Sequence, residues 1–210
     1  MHIPDGFLAP TITLPAYAIS TPLWIWAVRK HFGPNQMEGL PAVGALTAVA
    51  FVLQTIMIPV PGGTSTHLIG AALLALAQGP LVAFVCESLV LLVQALFFGA
   101  GGITVLGVNA LAMGLLGPLC AWLVFRGLRR ASPKLAAFVG GYLGMQVSTL
   151  AVALTLGLQH HLSPAIFPTP LPVMIAAMML PSLTVAGIVE GLYTVLALRL
   201  IERVRGKAAS

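Results

Sequence analysis

The chain begins Met1-His2, and these residue types in this order can chelate a transition metal. The α-amine of Met1, the backbone amide nitrogen of His2 and the His2 Nδ1 would bind in succession, closing one five-membered and one six-membered ring. One in-plane position is then left for a second imidazole. Four nitrogens in a square or tetragonal plane suit Ni(II) or Cu(II), with Co(II) next in the affinity order. His67, inside PVPGGTSTHLIG, is the candidate for the last position. The amine must lose its proton to bind, which costs little near neutral pH because its ordinary pKa is about 7.7 to 8.0. MHIPDG has no basic start ahead of an apolar stretch, and the first cation is Arg29, so a cleaved leader is not expected. The bulky His2 also disfavours removal of Met1. The competing reading is that each histidine bonds a carbonyl or a water.

Other polar residues divide between chemistry and architecture. Ser65, in the Thr64-Ser65-Thr66 run, and Asn109, after the glycine-rich FFGAGGITVLGVN, are candidates to orient ligands from behind. Gln94 reads equally as an interhelical hydrogen-bonding group. His31, beside Arg29 and Lys30, reads as interfacial. His160 and His161 are positioned to gather passing cations, or simply to lie in a solvated loop, since adjacent helical residues do not share a face. Glu87 and Glu190 are carboxylates within apolar runs, where burial is costly and function is the default hypothesis. Their positions place both in the inner halves of their segments, away from the histidines, which favours a structural contact or partner docking over ligation. Cys86 and Cys120 read as small apolar residues, and the eight methionines are scattered. FFGAGG lacks a GK[ST] ending, so the chain has no phosphate-cradling loop of its own.

The surroundings of these residues are membranous. Of the 210 residues, 59% are hydrophobic and 7% charged, against about a quarter charged in soluble domains. Apolar runs at 10–28, 41–59, 68–79, 81–98, 103–125, 135–158 and 172–198 predict an all-α integral membrane protein of seven helices, one of them short, forming a single transmembrane domain over 1–210. The net charge is +5, and all ten Lys and Arg lie in three clusters, at Arg29 and Lys30, at Arg126 to Lys134, and at Arg199 to Lys207. With seven crossings all three fall on one side, which the positive-inside rule makes cytoplasmic; the N-terminus is then outside and the C-terminus inside. This pattern suits lipid and topology and argues against nucleic acid as a partner. The short third segment requires the His67 loop to dip into the membrane from outside. Such irregular backbone is tolerated only within protein or a wet cavity. FFGAGG enters from the same face, and residues 1–9 are expected to fold into it as a metal-binding segment.

MHIPDGFL, PVPGGTSTHLIG, QALFFGAGGITVLGVNALAMG and GIVEGL together resemble the CbiM/NikM substrate-capture proteins of energy-coupling factor transporters for cobalt and nickel, over nearly the whole chain. The resemblance implies that Co(II) or Ni(II) is the transported substrate, held by Met1, His2 and His67, with no organic cofactor. It implies a transmembrane coupling subunit, cytoplasmic ATPase subunits and often a small auxiliary membrane protein as partners. A multi-pass location in the cell (inner) membrane and a link to cobalamin synthesis also follow. The chain departs from the family pattern at Ala100 of FFGAGG, at Thr66, and near Leu183, where a histidine is common. The reading is of a carrier subunit and not an enzyme, cobalt first and nickel second. A capture subunit for an organic vitamin would need an aromatic-walled pocket, and an intramembrane enzyme would need Glu87, Glu190 and the histidines to converge.

Overall fold

The computed structural model describes residues 1–33, 39–60 and 64–208, with the side chains of 58–60, 64–65 and 204–208 left aside. All seven expected segments are helical. They are α1 (Pro10–His31), α2 (Leu40–Gln54), α3 (Ala71–Gln78), α4 (Pro80–Phe98), α5 (Leu106–Leu128), α6 (Pro133–Leu162) and α7, which runs from Leu171 to Ala208. Proline marks several starts: Pro10, Pro80 and Pro133 each stand in the first turn, where a missing N–H removes no helical bond. Ser132 caps α6 by accepting the Leu135 N–H at 3.3 Å.

Among the described residues four helices, α4, α5, α6 and α7, are long and apolar enough to cross a bilayer alone. The third segment is shorter than its apolar run: α3 has eight residues, about 12 Å of helix at 1.5 Å per residue. The second also stops early, at Gln54 and not at 59, because the chain turns there into a two-stranded antiparallel pair, β1 (Ile58–Val60) with β2 (Thr64–Thr66), that carries it into the protein.

Two helices contain wider turns. Ala110–Leu116 of α5 and Ser182–Ala186 of α7 are π-helical, with Gly117 N–H donating to Ala112 O and Gly187 N–H to Ser182 O. The α5, α6 and α7 rods approach closely through small residues. A Cβ on Gly144 would lie 2.9 Å from Gly117 O, and one on Gly187 would lie 2.3 Å from Gln146 Nε2. The main core gathers Ile69, Phe84, Val105, Met113, Met145, Leu156 and Met174, and it includes Met1 and Ile3. The first residues of the chain are therefore core.

Candidate metal site

Residues 1–9 carry no regular structure, so their path is imposed by the helices around them. Asn109, in the first turn of α5, accepts the Ile3 N–H and donates to the Ile3 carbonyl, each at 3.1 Å. The Asp5 carboxylate accepts from Ile103 N–H (3.1 Å), Thr104 N–H (2.9 Å) and Thr104 Oγ1 (2.5 Å). A Cβ on Gly102 would sit 2.1 Å from Asp5 Oδ1, so only glycine admits this close approach. Farther along, Ala9 N–H donates to Gln159 Oε1 at 2.7 Å. At the start, Thr149 Oγ1 donates to Met1 Sδ at 2.7 Å and lies 3.1 Å from Ser182 Oγ.

This path brings His2 onto His67. The rings stack with centroids 4.5 Å apart and planes 20° from parallel. Met1, His2 and His67 are 0%, 4% and 3% exposed, so the three possible donors are buried together. Gly101, in left-handed backbone with φ of +83°, brings the FFGAGG loop against the His2 ring, and a Cβ there would lie 3.5 Å from His2 Cδ2. The Gln94 and Gln54 amides reach His2.

His67 is oriented by its neighbour. Its Nδ1 faces Leu68 O at 2.8 Å, which keeps the proton on Nδ1 and leaves the Nε2 lone pair available. Nε2 is buried and has no partner among the described residues. Burial holds all three groups in the uncharged form that a metal requires. It lowers the Met1 amine well below its usual 8.0. It carries His2 to about 3, with the nearby amine adding to the effect. It also lowers His67 well below 6.5, helped by the charges of the amine and His2 and opposed by the Leu68 carbonyl.

Among the described residues no cluster of three or more His, Cys, Asp or Glu side chains is arranged to hold a metal.

The chain matches, over residues 2–208, the family described as cobalt uptake substrate-specific transmembrane region, CbiM. The chain belongs to the CbiM family. A protein of Methanocaldococcus jannaschii named for metal transport is 35% identical over 98% of this chain and 93% of its own length. The fused nickel transport protein NikMN of Rhodobacter capsulatus is 36% identical and the cobalt transport protein CbiM of Geobacter sulfurreducens 34%, across 92% and 98% of this chain. Of those two, the chain spans only about three fifths, 59% and 60% of their lengths. A solved structure titled as a truncated transition metal transporter superposes with a TM-score of 0.92 at 37% identity, covering 97% of this chain and 99% of that one. Another titled as a transition metal transporter gives 0.92 at 38%, with 97% and 93% covered. Like the family, the chain is a multi-pass membrane protein and a transport component, not an enzyme.

Of the residues singled out from the CbiM-like sequence, Met1, His2, His67 and Asn109 are brought together. Ser65 pairs through its backbone with Pro59, and its side chain lies outside those described. His160 is occupied elsewhere, its Nδ1 3.0 Å from Phe167 O. The expectation that Glu87 and Glu190 sit far in depth from the histidines is wrong. Gln54 Nε2 donates to Glu87 Oε1 at 2.7 Å and to Ile69 O at 2.8 Å, and Glu190 accepts from Ile69 and Gly70 N–H. Glu190 reaches the segment that follows His67 directly and Glu87 is linked to it through Gln54, because the shortness of α3 leaves that segment deep in the protein. Asp5, Gln159 and Thr149 also hold the first segment, and no local motif marks them, since their partners are 98 to 150 residues away along the chain.

Proposed function

We propose that the protein is the substrate-capture subunit of an ATP-driven importer of the energy-coupling factor type, binding Co(II) or Ni(II) at its outer face. The ligands are the Met1 amine, the His2 amide nitrogen and Nδ1, and His67 Nε2. The observation that carries this reading is the stack of His2 on His67 at 4.5 Å beside a buried Met1. Three nitrogens in succession from one peptide, with a fourth from a loop, make a planar set that suits Ni(II) or Cu(II), with Co(II) next in the affinity order. Loss of the amide proton lowers the charge of the bound unit, which favours its burial. Asn109 holds the N–H and the C=O of Ile3, one on each of the two peptide units that flank this residue, so the chelating segment is positioned before the metal arrives.

In this reading 1–210 forms one transmembrane domain with 1–9 as its metal-binding segment. The N-terminus faces outside and the C-terminus the cytoplasm, since the three basic clusters then share the cytoplasmic side. Lys134 and Arg199, from two of those clusters, line one cleft. A transmembrane coupling subunit, cytoplasmic ATPases and a small auxiliary membrane subunit supply the energy and the reorientation, since the described chain offers no nucleotide site. Cobalt uptake is read first, in line with the family description, and nickel second.

The test is a metal assay on protein purified with Met1 free and on protein carrying extra residues ahead of it. About one Co or Ni per chain is expected in the first and almost none in the second. Equal content in both would remove the terminal amine from the ligand set.

A further inference from the structure

Two consecutive peptide groups after His67 are held on both edges, and one of them is the group that orients the imidazole. The Leu68 carbonyl, 2.8 Å from His67 Nδ1, belongs to the same peptide unit as the Ile69 N–H, which donates to Glu190 Oε2 at 3.0 Å. The next unit donates its Gly70 N–H to Glu190 Oε1 at 2.9 Å and accepts from Gln54 Nε2 at its Ile69 carbonyl. Glu190 lies on α7, 1% exposed, while α7 as a whole buries less of its length in the protein than α4, α5 or α6.

A carboxylate is an expensive choice for this place. Ser, Thr or Asn can cap the free N–H groups at the start of α3 without bringing a charge into a membrane protein's interior. A carboxylate does something they do not: it accepts from two successive amides at once, and through the peptide it polarises the carbonyl on the other side. Metal-ligating histidines are commonly oriented by a carboxylate on the ring nitrogen opposite the metal. Here a peptide group stands between the carboxylate and the ring.

We propose that Glu190 is a positioning residue for His67, acting through the Leu68–Ile69 peptide to fix both the ring orientation and the tautomer that leaves Nε2 free for the metal. The inference rests on the reading of His67 as a metal ligand. It also makes α7 the helix that holds the His67 side of the site.

The experiment titrates Ni(II) and Co(II) into purified protein with Met1 free, comparing wild type, Glu190→Ala, Glu190→Gln, His67→Ala and Thr194→Ala. Thr194 is also buried on α7, and its hydroxyl donates within the helix to Glu190 O; its variant reports what loosening α7 does by itself. Glu190→Ala should weaken both metals by about 10- to 100-fold, the range seen for groups behind a ligand. It should also shift the ligand-field spectrum of the bound ion. Glu190→Gln, with one oxygen left to accept, should fall between, and Thr194→Ala should bind as wild type with an unaltered spectrum.

Binding within twofold of wild type and an unchanged spectrum in folded Glu190→Ala would overturn the inference; if that variant does not fold, the same result in Glu190→Gln overturns it. A loss in Thr194→Ala equal to that in Glu190→Ala would also overturn it, by assigning the effect to general loosening. Loss in His67→Ala with both Glu190 variants unaffected defeats the inference alone. Full binding in His67→Ala defeats the ligand reading and the inference together.

Discussion

Residues 1–9 and residues 66–70 deliver donors to the same spot and are held there in different ways. The first segment has one internal main-chain bond among its turns, Phe7 N–H to Pro4 O at 3.4 Å, and otherwise depends on side chains that reach it from elsewhere. Asn109, Thr104 and Gln159 come from α5, its preceding loop and α6, and each grips a different residue. The second segment is continuous with structure on both sides, a strand pair before it and α3 after it, and the side-chain bonds that reach it from other helices meet at Ile69 and Gly70 among the described residues. A segment with little conformational preference of its own needs many distributed holds, because each unfixed residue costs about 1 to 2 kcal/mol to order. A loop fixed at both ends needs only its peptide planes set.

Breaking the holds should show that contrast. The largest effect is expected for Asn109→Ala, which strands the buried Ile3 N–H and C=O together. At about 1 to 3 kcal/mol for each unpaired group, metal affinity measured by calorimetry should fall about a hundredfold. Gln54→Leu comes next, because it unpairs the Ile69 carbonyl and removes a donor from Glu87 while leaving Glu190 in place. A loss of about tenfold is expected, and a loss larger than that of Asn109→Ala would reverse the ranking of the two segments. Asp5→Ala acts at the exposed edge, where water replaces the lost bonds, so the weakening should be about threefold.

The smallest effect is on stability against pH. The Met1 amine, His2 and His67 are depressed in the folded protein, whereas the unfolded chain takes up protons at the ordinary values of 8.0 and 6.5. At these three groups the unfolded state therefore binds more protons as pH falls below about 8, and their contribution to stability falls with it; for His2 the loss continues down to about 3. Measured on metal-free protein in detergent, the contribution of His2 is the difference between wild type and His2→Ala, and it should lower the wild-type melting temperature by a few degrees more between pH 8 and pH 5. His2→Ala should flatten that slope, and an unaltered slope would show that the first segment is not buried in solution.

The helices were legible from composition because an apolar run must satisfy its backbone internally wherever it lies in lipid. Thus 81–98 and 135–158 closely match Pro80–Phe98 and Pro133–Leu162. The apposition of His2 and His67 was legible too, since so few residues here offer nitrogen donors. The depth of Glu87 and Glu190 was not. Counting along a segment assumes full-length, regular crossings, but α3 has only eight residues and α5 and α7 each contain a π-helical turn. Nor was the grip of Asp5 on Thr104 or of Glu190 on Ile69, whose partners are 99 and 121 residues apart. Sequence spacing carries no record of which distant peptide a carboxylate will meet.

The π-helical turn at Ser182–Ala186 acts as a phase shifter within α7. An α-helix turns about 100° per residue, and a π turn accommodates one residue more than the regular spiral would. Removing a single residue between Ser182 and Ala186 would restore the ordinary winding and swing everything beyond it by roughly that angle. Ser182 would stay beside Thr149, while the Glu190 carboxylate would rotate off Ile69 and Gly70 toward the lipid. One inserted residue thus sets the azimuth at which the lower half of this rod addresses the rest of the molecule.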